Sequence, residues 1–200
     1  MAHANWVTPN KTSGSGNDSV SWTGNVHTGR LLRSTTAIFS AAGCEDKILT
    51  INQAGKAEGV DMDDAGSVAQ TGGSVTISGI SNSPKLTFTL ANNNIGLTLP
   101  TNYNAGGATT RNGVAISGDP GASQEYEYSI TFANVAANPG VTARTTQLIV
   151  TDNAGHTDTC TITQAAGSAY LTISPDTIEL TAAGTAVSMS VESNTSWNIS

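Results

Sequence analysis

The sequence predicts an all-β protein: immunoglobulin-like β-sandwich repeats, with one complete domain flanked by two complementary half-domains. Three observations carry this prediction: short β-branched runs of period two, a set of residues that recurs at one fixed interval, and end segments that resemble the two halves of a single domain. The runs are SVTISGI at 74–80, KLTFTL at 85–90, YEYSITF at 126–132, TQLIVT at 146–151 and TCTITQ at 159–164. Gly, Asn, Asp and Pro turns separate them, and no stretch carries a helical period. Short strands at this spacing, in a repeat of roughly a hundred residues, suit a two-sheet sandwich.

The repeat sets the division. Arg33, Thr35, Ile38, Thr50, Ile51, Gln53 and Ala54 recur as Arg144, Thr146, Ile149, Thr161, Ile162, Gln164 and Ala165, all displaced by the same interval. At almost that interval Val75, Ile77, Ser81 and Asn82 are answered by Val187, Met189, Ser193 and Asn194. Self-similarity of this kind marks a repeat array. Residues 1–57 therefore read as the C-terminal half of a sandwich, 58–168 as the complete domain, and 169–200 as an N-terminal half. The stretch 101–124, rich in Asn, Gly and Ala, has no counterpart in either half and reads as a long loop or an added hairpin.

Two half-domains on one chain need partners. The linkers GKAEG at 55–59 and AGSA at 166–169 reach at most ~3.5 Å per residue, too little for a return trip along the middle domain. The expectation is a head-to-tail homo-oligomer, in which 170–200 completes 5–55 of another copy. Such exchange covers strand edges that would otherwise template aggregation, and its repetition makes a ring or a filament.

Composition narrows the partners. Charged residues are 12% of the chain, about half the usual ~25%, and the formal net charge of -7 speaks against nucleic acid and against an anionic membrane, since neither polyanion attracts it. The first thirty residues hold no apolar signal core, and no run approaches the ~20 apolar residues that span a bilayer. The chain thus reads as made and kept in a cytoplasm, or released from it by lysis. Cys44 and Cys160 occupy non-equivalent places in different copies, so they read as free thiols suited to a reducing compartment.

Nothing in the chain points to chemistry. His3, His27 and His156 are scattered, with no carboxylate or Cys at ligand spacing, which argues against zinc and His-based catalysis. Asp61, Asp63 and Asp64, and Asp152, Asn153 and Asp158, form oxygen-rich turns, but neither has the spacing or terminal Glu of an EF-hand loop. No enzyme activity, metal or cofactor is expected. Trp6 and Trp197 read as core-packing residues at the assembly seam rather than sugar platforms. Tyr103, in the inserted stretch, is the candidate for a glycan or partner contact.

WNIS at 197–200, NWVTP at 5–9, SGSGN at 13–17, VSW at 20–22, Arg33 and the closing LTINQAG at 49–55 together resemble the BACON domain, an immunoglobulin-like module of gut Bacteroides-type bacteria and their phages. The resemblance covers the rejoined ends well. The middle domain fits more loosely, with Lys85 and Leu97 standing where Trp197 and Trp6 are expected. It implies a β-sandwich spacer or adhesion module, with glycan binding as the proposed activity. Bacterial members usually follow a secretion or lipoprotein signal; without one here, the expectation is a structural phage virion protein, such as a capsid decoration, head-fibre or tail component, assembled in the host cytoplasm with other virion proteins. The alternative is a carbohydrate-binding adhesion module, or a spacer of a secreted or surface protein.

Overall fold

The computed structural model describes residues 3–200. It begins with two ribbons rather than a closed sandwich. β1 (Val7–Pro9) pairs antiparallel with β2 (Trp22–Gly24), and β3 (Arg33–Phe39) with β4 (Lys47–Gln53).

The central strands are β5 (Val60–Met62), β6 (Ala65–Val68), β7 (Gly73–Ser81), β8 (Leu86–Ala91), β9 (Asn102–Ala105), β10 (Ala108–Arg111), β11 (Tyr126–Val135), β12 (Arg144–Asp152) and β13 (Thr157–Gln164). They form two sheets, β10-β9-β11-β7-β5 and β6-β13-β12-β8. Every pairing is antiparallel except that of β6 with β13. Period-two alternation does what it should on a half-buried sheet: Val75 and Ile77 on β7, Leu86 and Phe88 on β8, Ile130 and Phe132 on β11, and Leu148 and Val150 on β12 all face one core between the sheets. The fold is all-β and of β-sandwich type. Of the inserted stretch, 102–111 makes a hairpin, because Gly106 and Gly107 take φ of 56° and 82° and such a left-handed pair closes a two-residue hairpin with a twist that matches its strands.

The chain ends with β14 (Leu171–Ser174) paired antiparallel to β15 (Ser190–Ser193). Among the described residues no helix is long and apolar enough to cross a membrane.

The repeat seen in the sequence is also a repeat of register. Arg33 faces Gln53, Thr35 faces Ile51 and Ala37 faces Leu49, just as Arg144 faces Gln164, Thr146 faces Ile162 and Leu148 faces Cys160. At the other end Leu171 faces Ser193 and Ile173 faces Val191, as Val60 faces Ser81 and Met62 faces Gly79. The end units thus build the same strand pairs as the middle domain, each with only part of the complement.

Candidate assembly surfaces

The middle domain shows what the end units lack. There β12 is flanked by β13 and by β8, with Val150 opposite Phe88 and Leu148 opposite Leu90, while β13 takes β6 on its far side. In the N-terminal unit β3 and β4 pair only with each other. The residues that should face a core are consequently open: Phe39 is 45% exposed where its counterpart Val150 is 0% exposed. The C-terminal unit shows the same deficit, Met189 being 39% exposed where Ile77 is 1% exposed.

Large exposed apolar side chains concentrate accordingly. Leu31, Leu32, Ile38, Phe39, Ile48 and Leu49 lie in the first unit, and Leu171, Ile173, Leu180, Val187, Met189 and Ile199 in the last, against Ile80, Val114 and Val141 in the whole middle domain. That concentration sets both end units apart from the middle domain.

The first unit surrounds a cavity of about 590 Å³, lined by Pro9, Val20, Trp22, Ala37, Ile38 and Phe39 among others. It opens between the loop that joins β1 to β2 and the end of β3. His3 stands edge-on to Trp22 at 5.3 Å between ring centroids.

Trp6, half-buried, precedes β1, with the Arg33 guanidinium 4.5 Å from its ring centroid, a cation–π arrangement. Trp197 lies outside any strand and is 49% exposed. Trp6 is thus partly covered by Arg33, while Trp197 lies open in its own unit. The alternation of β8 also revises the alignment at Trp197: inward-facing Leu86 and Phe88 answer Trp197 and Ile199 once the tail is read one residue shorter than Asn-Ser-Pro-Lys, so Leu86, not Lys85, holds the tryptophan's place.

Tyr103 corrects an expectation. It is 3% exposed and packs edge-on against Phe88 at 4.9 Å, and burial pushes its phenol pKa up. A ring inside the core cannot stack on a sugar or a partner. The reason is the hairpin: of the loop and the hairpin expected for this stretch the hairpin forms, and β9 alternates Asn102 and Asn104 outward with Tyr103 and Ala105 inward. Tyr126 and Tyr128 are buried too, donating to Ser83 O at 2.7 Å and Asp61 O at 3.0 Å.

The acidic turns are tied up internally. Asp63 accepts from Ser78 N, Asp158 from Met62 N and Thr159 N, and Asp152 from His156 N and its ring. Burial holds the Cys160 thiol neutral, its pKa pushed up to about 11; Cys44 is exposed and Cys160 buried, and both are free.

One functional feature escaped sequence reasoning: the joint between the first unit and the middle domain. Asn82, fully buried, accepts from Gly59 N at 2.9 Å and donates to Ala57 O at 3.0 Å and Thr28 O at 3.2 Å. Arg30 donates to Asn82 O at 3.0 Å and pairs with Asp119, and that partner raises the guanidinium pKa. Arg30 N and Leu31 N donate to Gly121 O and Ala122 O, both at 3.0 Å. The only signal in the sequence was the recurrence of Asn82 as Asn194.

Residues 104–165 match the family model BACON, described as "Putative binding domain, N-terminal". The match runs from within β9 to the end of β13, and so contains Arg144 and Gln164. Within the match, β12 and β13 are the strands whose counterparts in the first unit are β3 and β4. No curated protein matches the chain.

Proposed function

We propose that this chain is a non-catalytic structural module that assembles head to tail, residues 171–200 of one copy completing the 3–57 unit of the next. The observation that carries the proposal is the contrast at equivalent positions: identical register, buried side chains in the complete domain, exposed ones in both end units. The middle domain supplies the template. By analogy with Phe88 opposite Val150, Ile199 pairs opposite Phe39, and the segment carrying Ile178 and Leu180 runs parallel to β4 as β6 runs beside β13. Trp197 then enters the cavity at Trp22 and Phe39.

Geometry favours a second copy over self-closure. The first unit docks at the Asn82 end of β7 and the last beside Pro139, past the Gly73 end. Nine residues of strand separate the two ends, about 30 Å at ~3.3 Å per residue. Among the described residues no hydrogen bond joins 3–57 to 169–200. The setting we propose is a particle surface, a virion decoration or fibre, which an extended array suits. Sedimentation of the full chain against concentration tests assembly, and mass spectrometry of purified particles tests the setting. A chain that stays monomeric throughout refutes the assembly.

A second proposal, glycan binding, draws on the family description of 104–165 as a binding domain. With Tyr103 buried, it would fall to other side chains. Glycan-array binding by the full chain tests it, and a blank array removes it.

A further inference from the structure

The hydrogen bonds that fasten the first unit to the middle domain occur a second time, at the other end of the molecule. Asn194 accepts from Tyr170 N at 3.0 Å and donates to Ser168 O at 2.9 Å and Pro139 O at 3.1 Å. These partners are displaced from Gly59, Ala57 and Thr28 by the repeat interval. Ser193 Oγ donates to Tyr170 O at 2.9 Å, as Ser81 Oγ does to Gly59 O at 2.7 Å. Thr195 N donates to Ser193 Oγ as Ser83 N does to Ser81 Oγ. Gly167 N donates to Gly140 O at 2.8 Å, and Lys56 N to Gly29 O at the same 2.8 Å. The chain therefore carries one joint, built twice.

The two joints differ in what covers them. In the first, the loop before β11 closes over the crossing chain: Gly121 O and Ala122 O take the N–H groups of Arg30 and Leu31, Thr28 Oγ1 accepts from Glu125 N, and Lys56 pairs with Glu125. The approach is so close that a Cβ on Gly29 would collide with the Ser123 backbone, and one on Gly121 with Asn82 O. In the second, Gly140 holds the place of Gly29, yet a Cβ there would meet nothing nearer than Asn138 Oδ1 at 3.4 Å. Val141, in the place of Arg30, is exposed. Among the described residues no backbone carbonyl takes the N–H of Val141 or Thr142.

We propose that Gly140, Val141 and Thr142 form a docking surface for the β1–β2 loop, residues 10–21, of a second copy of this chain. This rests on the head-to-tail proposal above. That loop is the counterpart of the end of the covering loop, because residues 10–14 precede residues 121–125 by the interval that separates Arg33 from Arg144, so that the insertion proper ends before Gly121. Complementation by 171–200 carries it to the second joint, where its carbonyls meet the N–H groups of Val141 and Thr142. Each joint of the array then has the same hydrogen-bonded geometry, so successive domains are related by one fixed rotation and the product is a stiff rod or closed ring rather than a flexible string.

The test uses the full chain and two variants, Gly140→Val and Val141→Asp, in sedimentation velocity over a concentration series, with thermal unfolding of each. Neither position is packed within its own chain, so melting temperatures are expected to match wild type while self-association weakens about tenfold or more, the equivalent of ~1.4 kcal/mol. If Gly140→Val melts lower, Val141→Asp decides. Wild type that associates while both variants associate equally well overturns the joint and leaves complementation standing. Wild type that remains monomeric at every concentration overturns both.

Discussion

Arg33 and Gln53 close the end of the β3–β4 ribbon together, Arg33 Nε donating to Gln53 Oε1 at 2.9 Å while Arg33 Nη2 and Gln53 Nε2 both donate to Asn25 O at 2.9 Å. Arg144 and Gln164 repeat the arrangement, Arg144 Nη2 donating to Gln164 Oε1 at 2.7 Å and Gln164 Nε2 to Ala136 O at 2.7 Å. An arginine that neutralises no carboxylate is here a clamp on the chain that crosses the sandwich end. Gln164 is fully buried, so Gln164→Ala leaves the Ala136 carbonyl and the guanidinium without it. The expected loss is about 1–3 kcal/mol, read as a lower urea midpoint at unchanged m.

The core of the middle domain responds to truncation independently of assembly. Phe88 packs against Tyr103 and Tyr128 with ring centroids at 4.9 and 5.8 Å. Phe88→Ala is expected to lower stability by about 3–5 kcal/mol, measured by denaturant unfolding.

At the seam, Phe39→Asp and Met189→Asp should each weaken self-association, while Ile80→Asp, on the exposed surface of the middle domain, should not. Trp197→Ala removes an apolar side chain whose burial is worth about 1.5–3 kcal/mol, and about tenfold or more in the association constant follows. Sedimentation equilibrium checks all four. Equal loss in the Ile80 variant would point to non-specific aggregation.

Alkali should find Cys160. Its thiol is raised from 9.0 to about 11 in the folded protein, so the unfolded chain forms thiolate first. The stability this supplies is complete below pH 9 and is lost as pH rises through about 11. Unfolding midpoints between pH 8 and 11 should fall less steeply for Cys160→Ala, compared with its own value at pH 8. At pH 8 a thiol reagent should label Cys44 alone.

Asn82→Ala should loosen the first joint. It leaves Gly59 N without its acceptor and Thr28 O and Ala57 O without their donor. Faster hydrogen exchange at Gly59 and Arg30, with the β11–β12 core still protected, is the expected result; uniform loss of protection would mean that Asn82 serves the domain's own stability.

The strand pattern and the repeat interval were legible because both are local. A side chain's face on a strand follows from its parity, and equivalent residues recur in order, so the registers of β3–β4 and β14–β15 could be anticipated from Arg33 and Gln53 or Ser193 alone. Tyr103 was misplaced because its hairpin depends on Gly106 and Gly107 turning back, and that brings β9 beside β11, more than twenty residues on.

Sequence by itself determined the all-β class and the repeat, since both follow from spacing along the chain. Only the tertiary structure decided which apolar faces lie open and what Asn82 and Asn194 hold. Those depend on backbone carbonyls such as Thr28 O and Pro139 O, supplied from more than fifty residues away by groups that every residue type carries and no sequence pattern can single out.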